Sequence, residues 1–347
     1  MGVGSRLPFY LDIVARTVED RRPVRPQAVP RHEGRKLHLR LHLRHFDPAP
    51  HRQHRFGIVV TDRIYKVEHL PHGEGKHTAH AYRDSGGSIA GTAAVAVAAL
   101  GARALFCGAV DDDQAGRFLQ AELAGLGVDL GGIQVTLGAR TPSASVVVDT
   151  HGERCLVVDR GTVVPCLPDP SLVAQADAVL VDHRFPDAAA TLLQSLPPHV
   201  SGVLDAEGGD AADLRRLAAL ASYPVFSSHG LRVATGLADP MDGLRAADAP
   251  LATAVGVTLG DQGSLWRIDG GIHHVATPQV SVRDTTGCGD VFHGAFALAL
   301  GRGASWLKAA CFGFAAAALK AGKGGGWRGM MGLVEVNALM RASGADD

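Results

Sequence analysis

Asp284, Thr285, Thr286, Gly287, Cys288, Gly289 and Asp290 form the stretch whose residue types and spacing could do chemistry. Val280 and Val282 precede it in an extended pattern, and an apolar helix pattern from Val291 to Phe296 follows. Gly287 and Gly289 lack a Cβ, so the backbone can turn sharply there and approach a ligand closely. A helix that starts at such a corner presents N–H groups with no partner inside the helix. Those groups make an anion site that needs no cationic side chain. Asp290 stands at the helix start, where a carboxylate can take the proton of a hydroxyl as that hydroxyl attacks phosphorus. The same residues also read as a glycine turn with Asp290 as a helix cap.

Other candidates are dispersed. Gly57 to Asp62 reads as an apolar strand ending in a carboxylate. Ligands of open α/β sheets bind beyond the carboxyl ends of strands, so Asp62 is placed to grip hydroxyls. Asp111, Asp112 and Asp113 precede a helix pattern from Gln114 to Leu126, and helix capping accounts for them better than a metal site. The 17 histidines contain no H-E-x-x-H, and His293 reads as a packing or supporting group. No G-x-x-x-x-G is followed by Lys and Ser or Thr, so a P-loop is absent. Cys107, Cys155, Cys166, Cys288 and Cys311 lack C-x-x-C spacing and read as reduced thiols of a cytoplasmic protein.

The elements that must position these residues show two patterns. Short apolar runs at 178–181, 202–205, 224–226 and 254–258 alternate with helical segments near 187–195, 210–221 and 228–235. That alternation predicts a parallel sheet with helices on both faces. Strand-like segments at about 63–84 and 143–159 read as a small lid, the second as a hairpin turning at Thr150 to Glu153. A further hairpin is expected at 264–275, a helix from Trp306 to Lys320, and a glycine-rich loop from Gly322 to Gly329. The chain has 347 residues, 46% of them hydrophobic, with a formal net charge of −1. That balance argues against nucleic acid or a membrane surface as partner, and no apolar run is long enough to span a bilayer. Residues 1–55 differ from the rest: they hold 12 of the 34 Lys and Arg and 6 of the 17 His. They read as a basic, disordered extension, with the fold beginning near Phe56.

The run D-T-T-G-C-G-D-V-F-H-G-A-F resembles the C-terminal signature of the ribokinase-like (PfkB) carbohydrate kinases, with Cys288 in place of the common Ala. The resemblance covers residues 56 to about 340. It implies a three-layer α/β sandwich with a central, mostly parallel sheet, helices on both faces and a small β-strand lid. It implies ATP with Mg²⁺ as donor and a sugar as acceptor. Asp290 would be the base, and the amides of Gly287, Cys288 and Gly289 the anion hole. Asp62, Gly86 and Gly87 would contact the sugar, and Thr258, Gly260 and Gly263 the nucleotide. Gly91 stands where a substrate-facing Asn is usual. Ser227 to Gly230 stand where many members have N-x-x-E near the metal, so no protein ligand of Mg²⁺ is named. The glycine-rich loop would border the adenine pocket. Thr61 to Tyr65, Asp182 to Arg184 and the F-H-G-A run are most similar to the family's kinases of 6-deoxy-6-sulfofructose. There Lys76 and Arg184 would meet the sulfonate, while Val158 replaces a third, Asn, contact. Unpaired lid edges make a homodimer through the lid the expected assembly.

Overall fold

The computed structural model describes residues 52–165 and 167–343. The chain opens with strand β1 (Arg52–Phe56), followed by β2 (Val60–Lys66), β3 (Ala81–Gly87), helix α1 (Ile89–Ala99) and β4 (Arg103–Val110). Then come α2 (Gln114–Gly125), β5 (Asp129–Val135), β6 (Ser143–Val148), β7 (Arg154–Asp159) and the short α3 (Pro170–Val173). Strands and helices alternate through β8 (Ala178–Asp182), α4 (Pro186–Ser195), β9 (Ser201–Ala206), α5 (Ala211–Leu220), β10 (Tyr223–Ser227), α6 (Ser228–Thr235) and α7 (Pro240–Ala246). The last strands are β11 (Val255–Thr258), β12 (Ser264–Ile268) and β13 (Gly271–Val275), and three helices close the chain: α8 (Cys288–Gly301), α9 (Trp306–Lys323) and α10 (Leu333–Ala342).

Nine strands form one sheet in the order β13-β12-β11-β10-β9-β8-β1-β4-β5. Pairing is parallel from β5 across to β11, and β12 and β13 add an antiparallel hairpin at one edge. One apolar core lies between the sheet and α1, α8 and α9, and a second lies under α4 to α7 on the other face. This is the expected three-layer architecture. α1 and α8 are buried on nearly every side, as a helix apolar all round must be. They approach closely: a Cβ on Gly294 would stand 2.8 Å from the Ala93 carbonyl oxygen. Among the described residues no helix is long and apolar enough to cross a membrane.

The lid is a separate sheet of four strands in the order β3-β2-β6-β7.

The start of the fold differs from expectation. An interior strand of the sheet, Arg52–Phe56, is held between β8 and β4, so regular structure is present before Phe56. Gly57 to Val59 are the exit from that strand, and Asp62 lies on lid strand β2, opposite Ser85 of β3. Asp182 makes the exit possible: its Oδ2 accepts from the Ile58 amide at 2.8 Å. A Cβ on Gly57 would lie 1.9 Å from that same oxygen, so only glycine fits. The polarity of β1 hid it. Gln53, His54 and Arg55 are all buried, where a central parallel strand is ordinarily apolar. Arg55 donates to the carbonyls of His54 and Gly294 at 2.9 and 3.1 Å, and burial pushes its guanidinium down to about 9. The rest of the expected basic extension, residues 1–51, lies outside the described residues.

Candidate active site

Helix α8 starts at the carboxyl end of the central sheet, at the glycine turn. Gly287 is its N-cap in the left-handed conformation, φ 74°. The Thr286 amide donates to Asp284 Oδ1 at 2.9 Å. The Cys288 amide donates back to the Thr285 carbonyl at 3.2 Å, because the left-handed Gly287 folds residue 288 over the turn. The Cys288 amide, expected in the anion hole, is thus engaged by the turn itself. Its thiol is pushed up to about 11, chiefly by burial, and is not a nucleophile. The N–H groups of Gly287, Gly289 and Asp290 donate to no acceptor among the described residues. Nothing lies within 4 Å of where a Cβ on Gly289 would stand. Open space thus faces unsatisfied amides at a helix start, which is the geometry of an anion site.

Asp290 is half-buried in the first turn of α8. Burial holds its carboxyl well above the usual carboxylate range. The charges of Asp205 and Glu207 add to the rise, His293 opposes it, and Asp182 adds a little more. Those four side chains arrive from β8, the end of β9 and α8, so the sheet gathers them at one edge. His293 sits one turn below Asp290. Its Nδ1 lies 2.9 Å from Asp205 Oδ2 and 2.8 Å from the Gly289 carbonyl, and its Nε2 lies 3.4 Å from the Val225 carbonyl. All three partners are acceptors, so the ring carries a proton on each nitrogen. Burial disfavours that charge, but the Asp205 carboxylate outweighs it and lifts the imidazole to about 9.

The expected acceptor residues do come together. A Cβ on Gly87 would meet Asp62 Oδ2 at 2.2 Å, so the carboxylate lies directly on the glycine. Burial lifts Asp62 to about 6. The Gly86 amide donates to Glu122 Oε2 of α2 at 2.6 Å. Ser88 holds φ 85°, one of two described non-glycine residues at positive φ. Such strain clusters where a site needs a fixed backbone.

Gly91 has an unexpected partner. Trp327, from the glycine-rich loop, is buried with its indole against both Gly86 and Gly91. A Cβ would stand 2.0 Å from the ring at Gly86 and 3.0 Å from it at Gly91. The indole Nε1 donates to Thr92 Oγ1 at 3.0 Å. The loop is thus packed beside the glycine pair, and the ring fills the room a side chain at residue 91 would need. Thr92 in turn stands 3.1 Å from where a Cβ on Gly287 would be. One threonine therefore stands between the Trp327 ring on Gly86 and Gly91 and the Gly287 turn.

Thr258 closes β11, and Gly260 and Gly263 bracket a single 3-10 turn after it, at φ 62° and 84°. The three form one loop, with Gly263 seated against the Val275 carbonyl. Lys76 is exposed on the lid loop, and Arg184 is exposed after β8 with its amide on Asp182 Oδ1 at 2.9 Å. Arg184 lies close enough to Glu207 to oppose the rise of that carboxyl. Lys76 makes no ion pair among the described residues.

A resident metal site does not fit these residues. A Cβ on Gly230, at the end of the N-x-x-E position, would lie 1.9 Å from the Ala206 carbonyl oxygen, so no carboxylate can stand there. Among the described residues no group of three His, Cys, Asp or Glu could hold a metal ion. The triple Asp is a cap: Asp113 accepts from Gly116 and Thr141 amides at 2.7 and 2.9 Å.

Asp205, Glu122, Trp327 and Arg154 are further functional candidates whose partners the sequence did not indicate, and Asp205 pairs with His293 of the signature run. Arg154 reaches from lid strand β7 to the catalytic turn, donating to Thr286 Oγ1 at 2.5 Å and approaching Asp284 at 3.8 Å.

With this geometry in place, comparison with known proteins settles the family. The model of the pfkB family of carbohydrate kinases matches residues 55–330. The chain belongs to this family. A crystal structure of an Agrobacterium tumefaciens protein with a provisional ribokinase name superposes with a TM-score of 0.77 at 31% identity, over 86% of this chain and 100% of the other. A fructokinase of Klebsiella pneumoniae is 29% identical over 67% of this chain and 80% of its own length. An ATP-dependent ribose-1-phosphate kinase of Halopiger xanaduensis is 31% identical over 40% of this chain, which spans about half, 48%, of that enzyme.

Proposed function

We propose that this carbohydrate kinase moves the γ-phosphoryl group of ATP to a hydroxyl of a ribose- or fructose-type sugar. The observation that carries the reading is the arrangement around Thr92. Trp327, which packs on Gly86, bonds Thr92 on one side, and Gly287, at the start of the turn that holds the free amides of Gly289 and Asp290, lies against Thr92 on the other. A hydroxyl held by Asp62 would face a base and an anion site at once. Asp290 takes the hydroxyl proton, the oxygen forms its bond to the γ-phosphorus, and the bond to the β-phosphate oxygen breaks to release ADP. The helix amides hold the charge that develops on the transferring group. Magnesium enters with the nucleotide as part of the substrate, and Thr258, Gly260 and Gly263 line the loop that would receive that nucleotide.

The relatives' names favour ribose and fructose over 6-deoxy-6-sulfofructose. Lys76 and Arg184 are the observation that keeps an anionic acceptor open, since a phosphate or sulfonate tail needs cationic donors. The Halopiger relative takes a sugar phosphate by its name. The edge strand β7 is exposed at every residue, with Leu156, Val157 and Val158 among them, which supports a homodimer formed through the lid.

The test is ADP release over a panel of ribose, fructose, ribose 1-phosphate, fructose 6-phosphate, sulfofructose and adenosine. At least one sugar should drive turnover. Asp290→Asn should lower kcat by about 10²–10⁴ while ADP still binds. Failure of every sugar with a folded protein, or full activity of the Asn variant, overturns the reading.

A further inference from the structure

Lys320 is a buried charge that the chemistry above does not use. It lies in the last turn of α9 at 1% exposure. A lysine so buried is rare unless its charge is met. Its Nζ donates to the Gly324 carbonyl at 3.4 Å. Gly324, Gly325 and Gly326 are three successive residues at positive φ, 64°, 80° and 59°, where the chain turns off the end of α9 beside the ammonium. A Cβ on Gly324 would stand 3.2 Å from Asp284 Cβ. The backbone joins the same two segments, since the amides of Arg283 and Asp284 both donate to the Ala321 carbonyl, at 2.8 and 3.1 Å. The end of α9 therefore underlies the catalytic turn and carries a fixed cation there.

We propose that Lys320 is the built-in positive charge of the phosphoryl-transfer turn. It ties the end of α9 to the glycine-rich loop through the Gly324 carbonyl, beside Asp284, and supplies positive potential at the start of α8. Burial raises the Asp284 carboxyl and the Thr286 bonds bring it below the usual carboxylate range, with the Lys320 charge adding to that lowering; burial lifts the Cys288 thiol, and the Lys320 charge opposes it. Asp284 also meets Arg154. The two cations differ in kind. Arg154 lies on lid strand β7 and is exposed, whereas Lys320 is buried at the end of α9. When a phosphoryl group spreads charge over the amides of Gly289 and Asp290, Lys320 is already in place. Lys320 is thus a positioning residue that acts through Asp284 and through its field, without touching the substrate. Trp327 follows Gly326 directly, so the tie also anchors the loop that packs beside the acceptor glycines.

This inference rests on the kinase reading, and the tests separate the two. Lys320→Met keeps the shape and removes the charge. It should fold, with kcat lower by about ten- to a hundredfold, less than the 10²–10³ lost with a direct oxyanion donor. KM for ATP and for the sugar should change less than about threefold, as when only a transition-state interaction is lost. Lys320→Ala leaves room for a small cation, so ammonium chloride should restore part of its rate and sodium chloride at equal ionic strength should not. A readout without turnover is the affinity of ADP with aluminium fluoride, which mimics the transferring group. It should weaken in Lys320→Met far more than the affinity of ADP alone. A Met variant within twofold of the parent kcat, or an Ala variant indifferent to ammonium, overturns the role of Lys320 and leaves the kinase reading standing. A parent protein that phosphorylates no sugar overturns the kinase reading itself.

Discussion

Nδ1 of His293 lies 2.9 Å from Oδ2 of Asp205, with both side chains 4% exposed. Asp290 follows Gly289, whose carbonyl the same nitrogen contacts at 2.8 Å. Asp290 is therefore flanked by one buried cation and three carboxylates, and its proton affinity is a balance among them.

That balance predicts opposite shifts in the pH profile. Asp290 works deprotonated, so kcat/KM should rise with pH along an acid limb set above the usual carboxylate range. Glu207→Gln removes a repelling charge and should move that limb to lower pH. His293→Gln removes the opposing cation, leaves Asp205 uncompensated, and should move it to higher pH. Shifts in the same direction would contradict the arrangement.

The ion pair also fixes the sign of a stability effect. His293 is raised from 6.5 in the folded protein to about 9. Its contribution is fully present below pH 6.5 and is lost as pH rises through about 9. It amounts to up to about 3 kcal/mol. Denaturant unfolding of the parent and of His293→Gln at pH 6, 7.5 and 9 should show the parent's advantage shrinking as pH rises. A constant difference would mean the ring is neutral throughout.

The two turn glycines should respond differently to alanine. Gly287→Ala forces a side chain into a left-handed residue and toward Thr92, 3.1 Å away. It should cost about 1 kcal/mol or more of stability, along with activity. Gly289→Ala meets nothing within 4 Å, so the melting temperature should hold while KM for ATP or kcat worsens. A Gly289→Ala enzyme with parent kinetics would show that no phosphate approaches there.

Arg154→Gln cuts the link from the lid to Thr286 and Asp284 without disturbing the core. Turnover should fall about tenfold or more, with unfolding free energy unchanged within about 0.5 kcal/mol because the residue is exposed. Equal loss of stability and rate would make the contact structural.

Much of this site could be read from the sequence because its signals are local. The glycine turn and Asp290 lie within seven residues, and the hairpins of β6–β7 and β12–β13 show alternation with a turn between. The alternating strands and helices from β8 to β11 were equally plain. What escaped has a physical reason in each case. Strand β1 is polar, and polarity is the usual mark of a segment outside a core. Asp182 ends β8 while Asp205 and Glu207 lie at the end of β9, and they meet only once the sheet is built. Trp327 meets Gly86 and Gly91 across more than 230 positions, so neither glycine announces its partner. The Cys288 amide turns inward because of the conformation of Gly287, which spacing alone does not reveal.

The polar strand carries a prediction of its own. Arg55 has no carboxylate partner among the described residues, and its Nε has no acceptor. Replacing a buried charge by an apolar side chain of similar size is often neutral or stabilising by about 1–4 kcal/mol. Arg55→Met should therefore unfold at higher denaturant than the parent, and a loss of stability would show that its bonds to His54 and Gly294 outweigh its desolvation.

Of the chain's three tryptophans, Trp266 and Trp306 lie against each other with ring centroids 5.7 Å apart. Trp327 alone borders the acceptor glycines. With Phe in place of the other two, the emission of the protein would come from that single indole. The enzyme would then carry its own optical gauge of sugar occupancy, readable in stopped flow before any phosphate moves.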